Sequence, residues 1–197
     1  TSLENFDFSQ TDTIYEYAFA KSGLTNVDLL SQYCAVGRRA FQACNNIKEL
    51  YFKYDVFLGE EAFADCEGLE SIIIGDDVEF IGSCYQSNSY YFADCNNVKY
   101  FYIGKNFKDT NNEEPYCIFN FYLFTLGGLE AFEVSPENPY FFTDDEGVLY
   151  MNTTYEGVDL VVLVCYPAGK TDPLYSTENA LKDNARLFTI GKTAFCA

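Results

Sequence analysis

The 197-residue chain is strongly acidic and unusually rich in phenylalanine and tyrosine. Its 30 Asp and Glu residues outnumber 12 Lys and Arg, giving a formal net charge of −18, and 48% of its residues are hydrophobic. This apolar content argues against a disordered protein, and the length allows a substantial buried core. The negative charge repels phosphate backbones and anionic lipids, so we expect no nucleic-acid binding.

The apolar runs in the chain are short. A membrane-spanning helix needs about 20 apolar residues, and the longest clean stretch, Val161 to Cys165, has the length of a strand. We therefore predict no membrane insertion. The chain begins without the basic and hydrophobic regions of a signal peptide and ends inside a repeat, so we expect a fragment of a longer protein.

An internal repeat runs through the first half of the chain. The pairs Ala18-Phe19, Ala40-Phe41 and Ala62-Phe63 are spaced 22 residues apart (41 − 19 and 63 − 41). Tyr91-Phe92 forms a fourth copy after a longer interval, and Ala194-Phe195 forms a fifth at the end of the chain. Self-similarity at such a period is typical of repeat architectures, in which each unit buries its apolar face against its neighbours.

The residues after each of these phenylalanines repeat as well. A cysteine and then three apolar residues recur at the same offsets, as Cys44, Ile47, Leu50 and Phe52, as Cys66, Leu69, Ile72 and Ile74, and as Cys95, Val98, Phe101 and Ile103. The last two residues of each set enclose a third, and such triplets favour β-strands. Because side chains alternate along a strand, the outer two should point inward and the middle one outward.

An aliphatic residue lies five positions before four of these phenylalanines, as Ile14, Val36, Leu58 and Ile190, and the last three are followed by glycine, namely Gly37, Gly59 and Gly191. This pair, the Ala-Phe-x-x-Cys segment and the triplet together resemble the BspA-type leucine-rich repeat. The resemblance implies a right-handed leucine-rich-repeat solenoid of about six coils. Its strands should form a parallel ladder, joined by turns and short second strands, with few helices.

We expect residues 1–197 to form a single repeat domain. Regular coils should cover about 14–104, followed by an irregular coil over 105–135 and a truncated final repeat over 186–197. Between them, segments such as Asp145 to Tyr150 and Val161 to Leu163 resemble a hairpin-bearing insertion common in the family, which we place at 136–170.

Residues at equivalent positions should stack in the interior as a structural ladder. Its expected members are Phe19, Phe41, Phe63, Phe92, Cys44, Cys66 and Cys95. We interpret the three cysteines as reduced, buried thiols, because an odd number cannot pair completely. The cysteines off this ladder are open to disulfide pairing that the sequence does not assign; they are Cys34, Cys84, Cys117 and Cys165.

Residues that would carry catalysis are scarce. The chain has no histidine, which removes the commonest general base and most transition-metal sites. Acidic pairs such as Glu60-Glu61 and Asp76-Asp77 fall on turns between strands. Asp144 to Gly147 gathers hard oxygen ligands but lacks the alternating spacing of a calcium loop, so we interpret it as a hairpin turn. We expect a protein that is not an enzyme, with no catalytic residue, metal or cofactor.

The outward residues of the triplets should form a column on the concave surface. The column is Asp28, Tyr51, Ile73, Tyr102 and Glu133, and a parallel column two residues earlier is Asn26, Glu49, Ser71, Tyr100 and Ala131. The candidate binding residues are Tyr51, Ile73, Tyr100, Tyr102, Asp28, Glu49 and Glu133. Exposed tyrosines are favoured at interfaces, although strands also favour β-forming residues on their outer faces.

The resemblance also implies a function. BspA-like proteins are surface or secreted proteins of host-associated bacteria and parasitic protists, implicated in adhesion. We therefore expect an extracellular, cell-surface or secreted module that binds a protein partner, such as a host matrix or cell-surface protein. Two alternatives stay open: a spacer or display scaffold for a domain outside this segment, and a carbohydrate-binding surface built on the tyrosine rings.

Overall fold

The computed structural model describes residues 3–29, 33–79, 81, 90–108, 126–155, 157–172, 174–177, 186–190 and 194–195. Short strands make up the regular structure of these residues, and no α-helix occurs among them. The strands are β1 Thr13–Ile14, β2 Cys34–Val36, β3 Glu49–Phe52, β4 Val56–Leu58, β5 Ser71–Ile74, β6 Tyr100–Ile103, β7 Ala131–Val134, β8 Phe141–Thr143, β9 Leu149–Tyr155, β10 Val158–Cys165 and β11 Arg186–Ile190. The predicted strand-rich, almost helix-free character is confirmed.

Two of the three sheets are parallel and follow the sequence repeat. The first sheet has the order β1-β2-β4, and the second has the order β3-β5-β6-β7. In the second sheet Leu50 pairs with Ile72, and Ile72 pairs with Phe101. All three are buried, because the alternation of the strand turns these positions inward.

The third sheet mixes parallel and antiparallel pairs. Its order is β11-β10-β9-β8, and both the β8–β9 and the β9–β10 pairs are antiparallel. The longest strands lie here: Leu149–Tyr155 and Val158–Cys165 form a hairpin that turns at Gly157, where φ is +77°. A two-stranded hairpin reverses direction within a few residues, whereas parallel strands need a full coil between them. Among the described strands, parallel pairing therefore holds in the first two sheets and between β10 and β11, whereas β8, β9 and β10 pair antiparallel.

A row of parallel phenylalanine rings runs through the core. Phe19 and Phe41 stack with ring centroids 5.4 Å apart, Phe41 and Phe63 lie 4.9 Å apart, and Phe63 and Phe92 lie 6.0 Å apart. The interplanar angles are 8°, 6° and 22° respectively. Because each repeat presents its ring from the same backbone conformation, the rings repeat as a stack with centroid spacings typical of favourable aromatic pairs.

The segment that carries each phenylalanine is a turn in which alternate N–H groups point to the next repeat. The N–H of Phe19 donates to the Ala40 carbonyl at 2.8 Å, and the N–H of Phe41 donates to the Ala62 carbonyl at 2.8 Å. Intervening N–H groups bond within their own turn, as Ala40 does to Gly37. This alternation requires residues whose backbone has a left-handed conformation, with a positive φ. They are Tyr17, Lys21, Arg39, Ala43, Glu61, Asp65 and Asp94. Because these N–H groups donate to the neighbouring repeat and not to the carbonyl four residues earlier, the segment does not form an α-helix.

The glycines after β2 and β4 are required by the close approach of neighbouring repeats. A Cβ atom added at Gly37 would lie 2.6 Å from the Glu16 nitrogen, and one added at Gly59 would lie 2.7 Å from the Arg38 nitrogen. Any larger residue would therefore push one repeat away from the repeat before it.

Four cysteines carry free, buried thiols: Cys34, Cys44, Cys66 and Cys95. Cys165 is also buried. The remaining members of the predicted disulfide set, Cys84 and Cys117, lie outside the described residues. Burial raises the pKa of the Cys34 thiol, and the nearby Asp12 carboxylate raises it further. A neutral thiol is the form that an apolar interior accommodates.

Candidate binding face

The outward side of the second sheet is the surface on which the predicted columns lie. We call it the sheet face and define it by the outward residues of β3, β5, β6 and β7. Tyr51 pairs with Ile73, Ile73 with Tyr102, and Tyr102 with Glu133. Tyr51 is 47% exposed, whereas Ile73 and Tyr102 are half-buried by their neighbours. The column is therefore a contiguous row that is aromatic and aliphatic at one end and acidic at the other.

The second column lies beside the first. Glu49 pairs with Ser71, Ser71 with Tyr100, and Tyr100 with Ala131. The Ser71 hydroxyl donates to the Glu49 carboxylate at 3.2 Å, so the polar residues of this column bond to each other. Asp28 is exposed and lies outside the strands of this sheet.

A hydrogen bond between tyrosine and glutamate links the two columns. The Tyr100 hydroxyl donates to Glu133 Oε2 at 2.9 Å. Burial raises the pKa of Tyr100 to about 12, and the bond to the Glu133 carboxylate adds to this rise. Tyr100 therefore keeps its proton at neutral pH, and its ring is held across the boundary between β6 and β7.

The turn from Asp144 to Val148 closes the sheet face at β7. The Gly147 N–H donates to the Asp144 carbonyl at 3.0 Å, and Asp144 Oδ1 accepts the N–H groups of Glu146 at 3.0 Å and Val148 at 2.9 Å. The Phe132 N–H donates to the Gly147 carbonyl at 2.9 Å, which attaches the turn to the edge of β7. We call this segment the acidic turn.

The buried Tyr150 and the half-buried Tyr175 hold the acidic turn from behind. The Tyr150 and Tyr175 hydroxyls are hydrogen-bonded to each other, and the Tyr175 hydroxyl donates to Asp144 Oδ2. Burial raises the pKa of Tyr150 to about 12, and burial together with the Asp144 carboxylate raises that of Tyr175. Both phenols therefore stay neutral and keep the Asp144 carboxylate in place.

A cavity of about 660 Å³ lies between the sheet face and the acidic turn. Six carboxylates, one lysine and the Tyr100 ring contribute to its lining, which consists of Tyr100, Glu130, Ala131, Phe132, Glu133, Asp144, Asp145, Glu146, Gly147, Lys170 and Asp172. Lys170 Nζ donates to the Glu146 carbonyl at 2.8 Å and lies 4.0 Å from Asp172 Oδ2. Our sequence reasoning missed this cavity, because the acidic turn and β7 come together only through the hairpin.

Asn138 anchors the segment that leads into the hairpin. Its side-chain Nδ2 donates to the carbonyls of Gly104 at 2.7 Å and Phe107 at 3.0 Å, and its Oδ1 accepts the N–H groups of Tyr140 and Phe141, both at 2.8 Å. One buried amide therefore satisfies four backbone groups and joins two repeats. The only sequence signal for it is the turn-forming Asn-Pro dipeptide.

In the described residues, no group of three or more His, Cys, Asp or Glu side chains has the geometry of a metal site. The same part of the chain contains no helix long and apolar enough to cross a membrane.

Residues 1–91 match the family model of the BspA type leucine-rich repeat region, in six copies. Among solved structures, a leucine-rich repeat protein from Eubacterium ventriosum ATCC 27560 is 24% identical, with a TM-score of 0.38. That alignment covers 70% of this chain and 37% of the other, so the chain spans little more than a third of that protein. No curated protein matches the chain significantly.

Proposed function

We propose that the chain is a non-catalytic module that binds a protein partner through the sheet face, because residues 1–91 match the BspA-type leucine-rich-repeat family in six copies. Repeat domains of this family act as interaction scaffolds. We propose further that the two parallel sheets are walls of a right-handed solenoid of about six coils, whose concave side is the sheet face. The proposed location is outside the cell, on its surface or secreted.

The observation that supports this proposal is the exposure of large apolar rings on the sheet face. Tyr51 is 47% exposed and Tyr100 is 37% exposed, although both lie on regular strands beside the half-buried Ile73 and Tyr102. Tyrosine loses little conformational entropy on binding and offers both an apolar ring and a polar tip. Contiguous apolar patches of this kind are typical of protein interaction sites.

Binding to immobilised extracellular-matrix proteins, measured by surface plasmon resonance, tests the proposal. We expect the wild-type chain to bind at least one of them, and Tyr51→Ala with Tyr102→Ala to weaken that binding by about tenfold or more. The matched control is Tyr15→Ala with Tyr140→Ala, because both rings are exposed but belong to none of the strands that define the sheet face. Equal losses in the two double variants would contradict a specific role of the sheet face.

Carbohydrate is the second candidate ligand, because exposed tyrosine rings such as Tyr51 stack on the apolar planes of sugars. Binding to a glycan array, together with no binding to the matrix proteins, would identify carbohydrate as the ligand. If neither class binds, the spacer or display role is favoured, with recognition assigned to another domain.

A further inference from the structure

The sheet face changes its chemistry along the stack. At β3 and β5 it presents Tyr51 and Ile73, and at β7 it presents Glu133, beyond which lie Asp144 and Asp145 of the acidic turn. The aromatic surface therefore leads directly into a negatively charged cavity. A single ligand that covers the whole face must match both the apolar rings and the carboxylates.

We propose that the protein partner presents a basic segment to the sheet face and places an arginine or lysine side chain in the cavity between β7 and the acidic turn. This inference rests on the protein-binding function proposed above. It specifies that the partner is positively charged, because such a surface is electrostatically complementary to a chain with a net charge of −18.

The lining of the cavity suits such a side chain. Its volume of about 660 Å³ is large enough to admit one arginine or lysine side chain. Tyr100 contributes an aromatic ring to the lining, and arginine stacks on tyrosine rings while its planar fork donates to carboxylates. Neighbouring carboxylates and a ring therefore supply both kinds of contact that a guanidinium makes.

Part of the negative charge in the cavity is not neutralised. Lys170 is bound to the Glu146 carbonyl, and Lys99 pairs with Glu130 at 2.8 Å. Glu133 instead accepts a bond from the neutral Tyr100 hydroxyl, and Asp145 forms no ion pair with the described residues. These two carboxylates are the ones that an incoming cation would meet.

Lys170 shows that this environment accommodates an ammonium group. Its side chain is only 15% exposed, and its Nζ lies 3.9 Å from Glu146 Oε2 and 4.0 Å from Asp172 Oδ2. The cation is thus held at one side of the cavity by a backbone carbonyl and two carboxylates. Glu133, which contributes to the same lining, forms no ion pair with the described residues.

The test uses fluorescein-labelled octa-arginine, with octa-glutamate as the probe of opposite charge, and measures fluorescence anisotropy with the full 197-residue chain. Glu133→Gln with Asp145→Asn removes two charges from the cavity and keeps acceptors at both positions. The distant control, Glu67→Gln with Asp77→Asn, removes the same charge from exposed residues outside the cavity. Thermal unfolding of all variants checks that each is folded.

We expect octa-arginine to bind the wild type and the distant control within about twofold of each other, and the cavity variant about fivefold more weakly, as the loss of two solvent-accessible ion pairs implies. Equal weakening in both double variants would mean attraction by the overall charge, and the inference would be wrong. It would also be wrong if octa-arginine did not bind, or if octa-glutamate bound equally well.

The matrix-protein experiment separates this inference from the proposed function. If a matrix protein depends on Tyr51 and Tyr102 but not on Glu133 and Asp145, the sheet face binds protein and the basic-partner inference fails. If binding of the matrix protein is insensitive to the tyrosines, the proposed function fails whatever octa-arginine does. The two failures are therefore distinguishable, because the first result overturns the inference alone, whereas the second removes the function on which the inference rests.

Discussion

The Cys66 thiol donates to the Phe41 carbonyl, one repeat earlier, at 3.3 Å. The same bond joins Cys44 to Phe19 at 3.1 Å and Cys95 to Phe63 at 3.1 Å. Each buried thiol thus satisfies a backbone carbonyl of the preceding repeat. In the first repeat Ser22 takes the equivalent position, and its hydroxyl is hydrogen-bonded to the Cys44 thiol at 3.3 Å.

These thiols should resist alkylation in the folded protein. Burial raises the pKa of Cys44. The pKa of Cys66 is raised mainly by its hydrogen bond with Cys95 and also by burial, so little of the reactive thiolate forms at either residue. Iodoacetamide labelling with peptide mapping should leave Cys44, Cys66 and Cys95 unmodified in buffer and label them fully in guanidinium chloride. Rapid labelling of these three in native buffer would contradict their burial.

The same pKa shifts predict the direction of a pH effect on stability. A thiol whose pKa is raised on folding stabilises the folded state below its unfolded pKa, about 8.5, and this contribution is lost as pH rises above that value. The free energy of unfolding should therefore fall between about pH 8.5 and 10 in the wild type. Cys66→Ser should reduce this fall, because serine does not titrate in that range.

Phe63→Ala should be strongly destabilising because Phe63 is fully buried between the rings of Phe41 and Phe92. We expect a loss of about 3–5 kcal/mol in the free energy of unfolding, measured by denaturant titration. Tyr51→Ala with Tyr102→Ala should change it little, because both side chains lie on the outward side of the sheet. Similar unfolding of the two variants would mean that the inward and outward assignment is wrong.

Gly147→Ala should loosen the acidic turn from β7. Gly147 has a φ of +74°, and a Cβ atom there would lie 2.5 Å from the Ala131 Cβ. Gly157 is a matched control, since its φ is +77° but no atom lies within 4 Å of its added Cβ. Gly157→Ala should cost only the conformational penalty, about 1–2 kcal/mol, and Gly147→Ala clearly more. Thermal or denaturant unfolding of both variants measures the difference, and equal losses would contradict the close approach.

Asn138→Ala should destabilise the junction between the repeats and the hairpin. The substitution leaves the buried carbonyls of Gly104 and Phe107 and the N–H groups of Tyr140 and Phe141 without the bonds they now make. We expect a loss of about 2–4 kcal/mol in the free energy of unfolding, because unsatisfied buried polar groups are costly. Asn152→Ala, at an exposed position in β9, is the control and should be nearly neutral.

Spacing in the sequence was sufficient to identify the BspA-type repeat, which is confirmed over residues 1–91, and the strand-rich, nearly helix-free character, which is confirmed for the part of the chain that the structure describes. Residues 22 apart, such as Tyr51 and Ile73, pair because each repeat makes the same backbone path. Alternation along a strand then decides which of them point outward. The positive φ angles that prevent a helix in the turn segments were not predictable in this way. They occur at residues such as Arg39 and Ala43, which are not glycines, so the sequence does not indicate them.

Only the tertiary structure decided how the sheet face ends. The cavity forms because Gly147 bonds to Phe132 and because Tyr175 reaches Asp144, contacts between segments that share no repeat position. Neighbouring repeats pack through interactions that recur at a fixed spacing, so a periodic pattern in the sequence predicts them. Contacts between non-repeating segments depend on where the hairpin packs, and that is set by the summed packing of the third sheet rather than by any local pattern of residues.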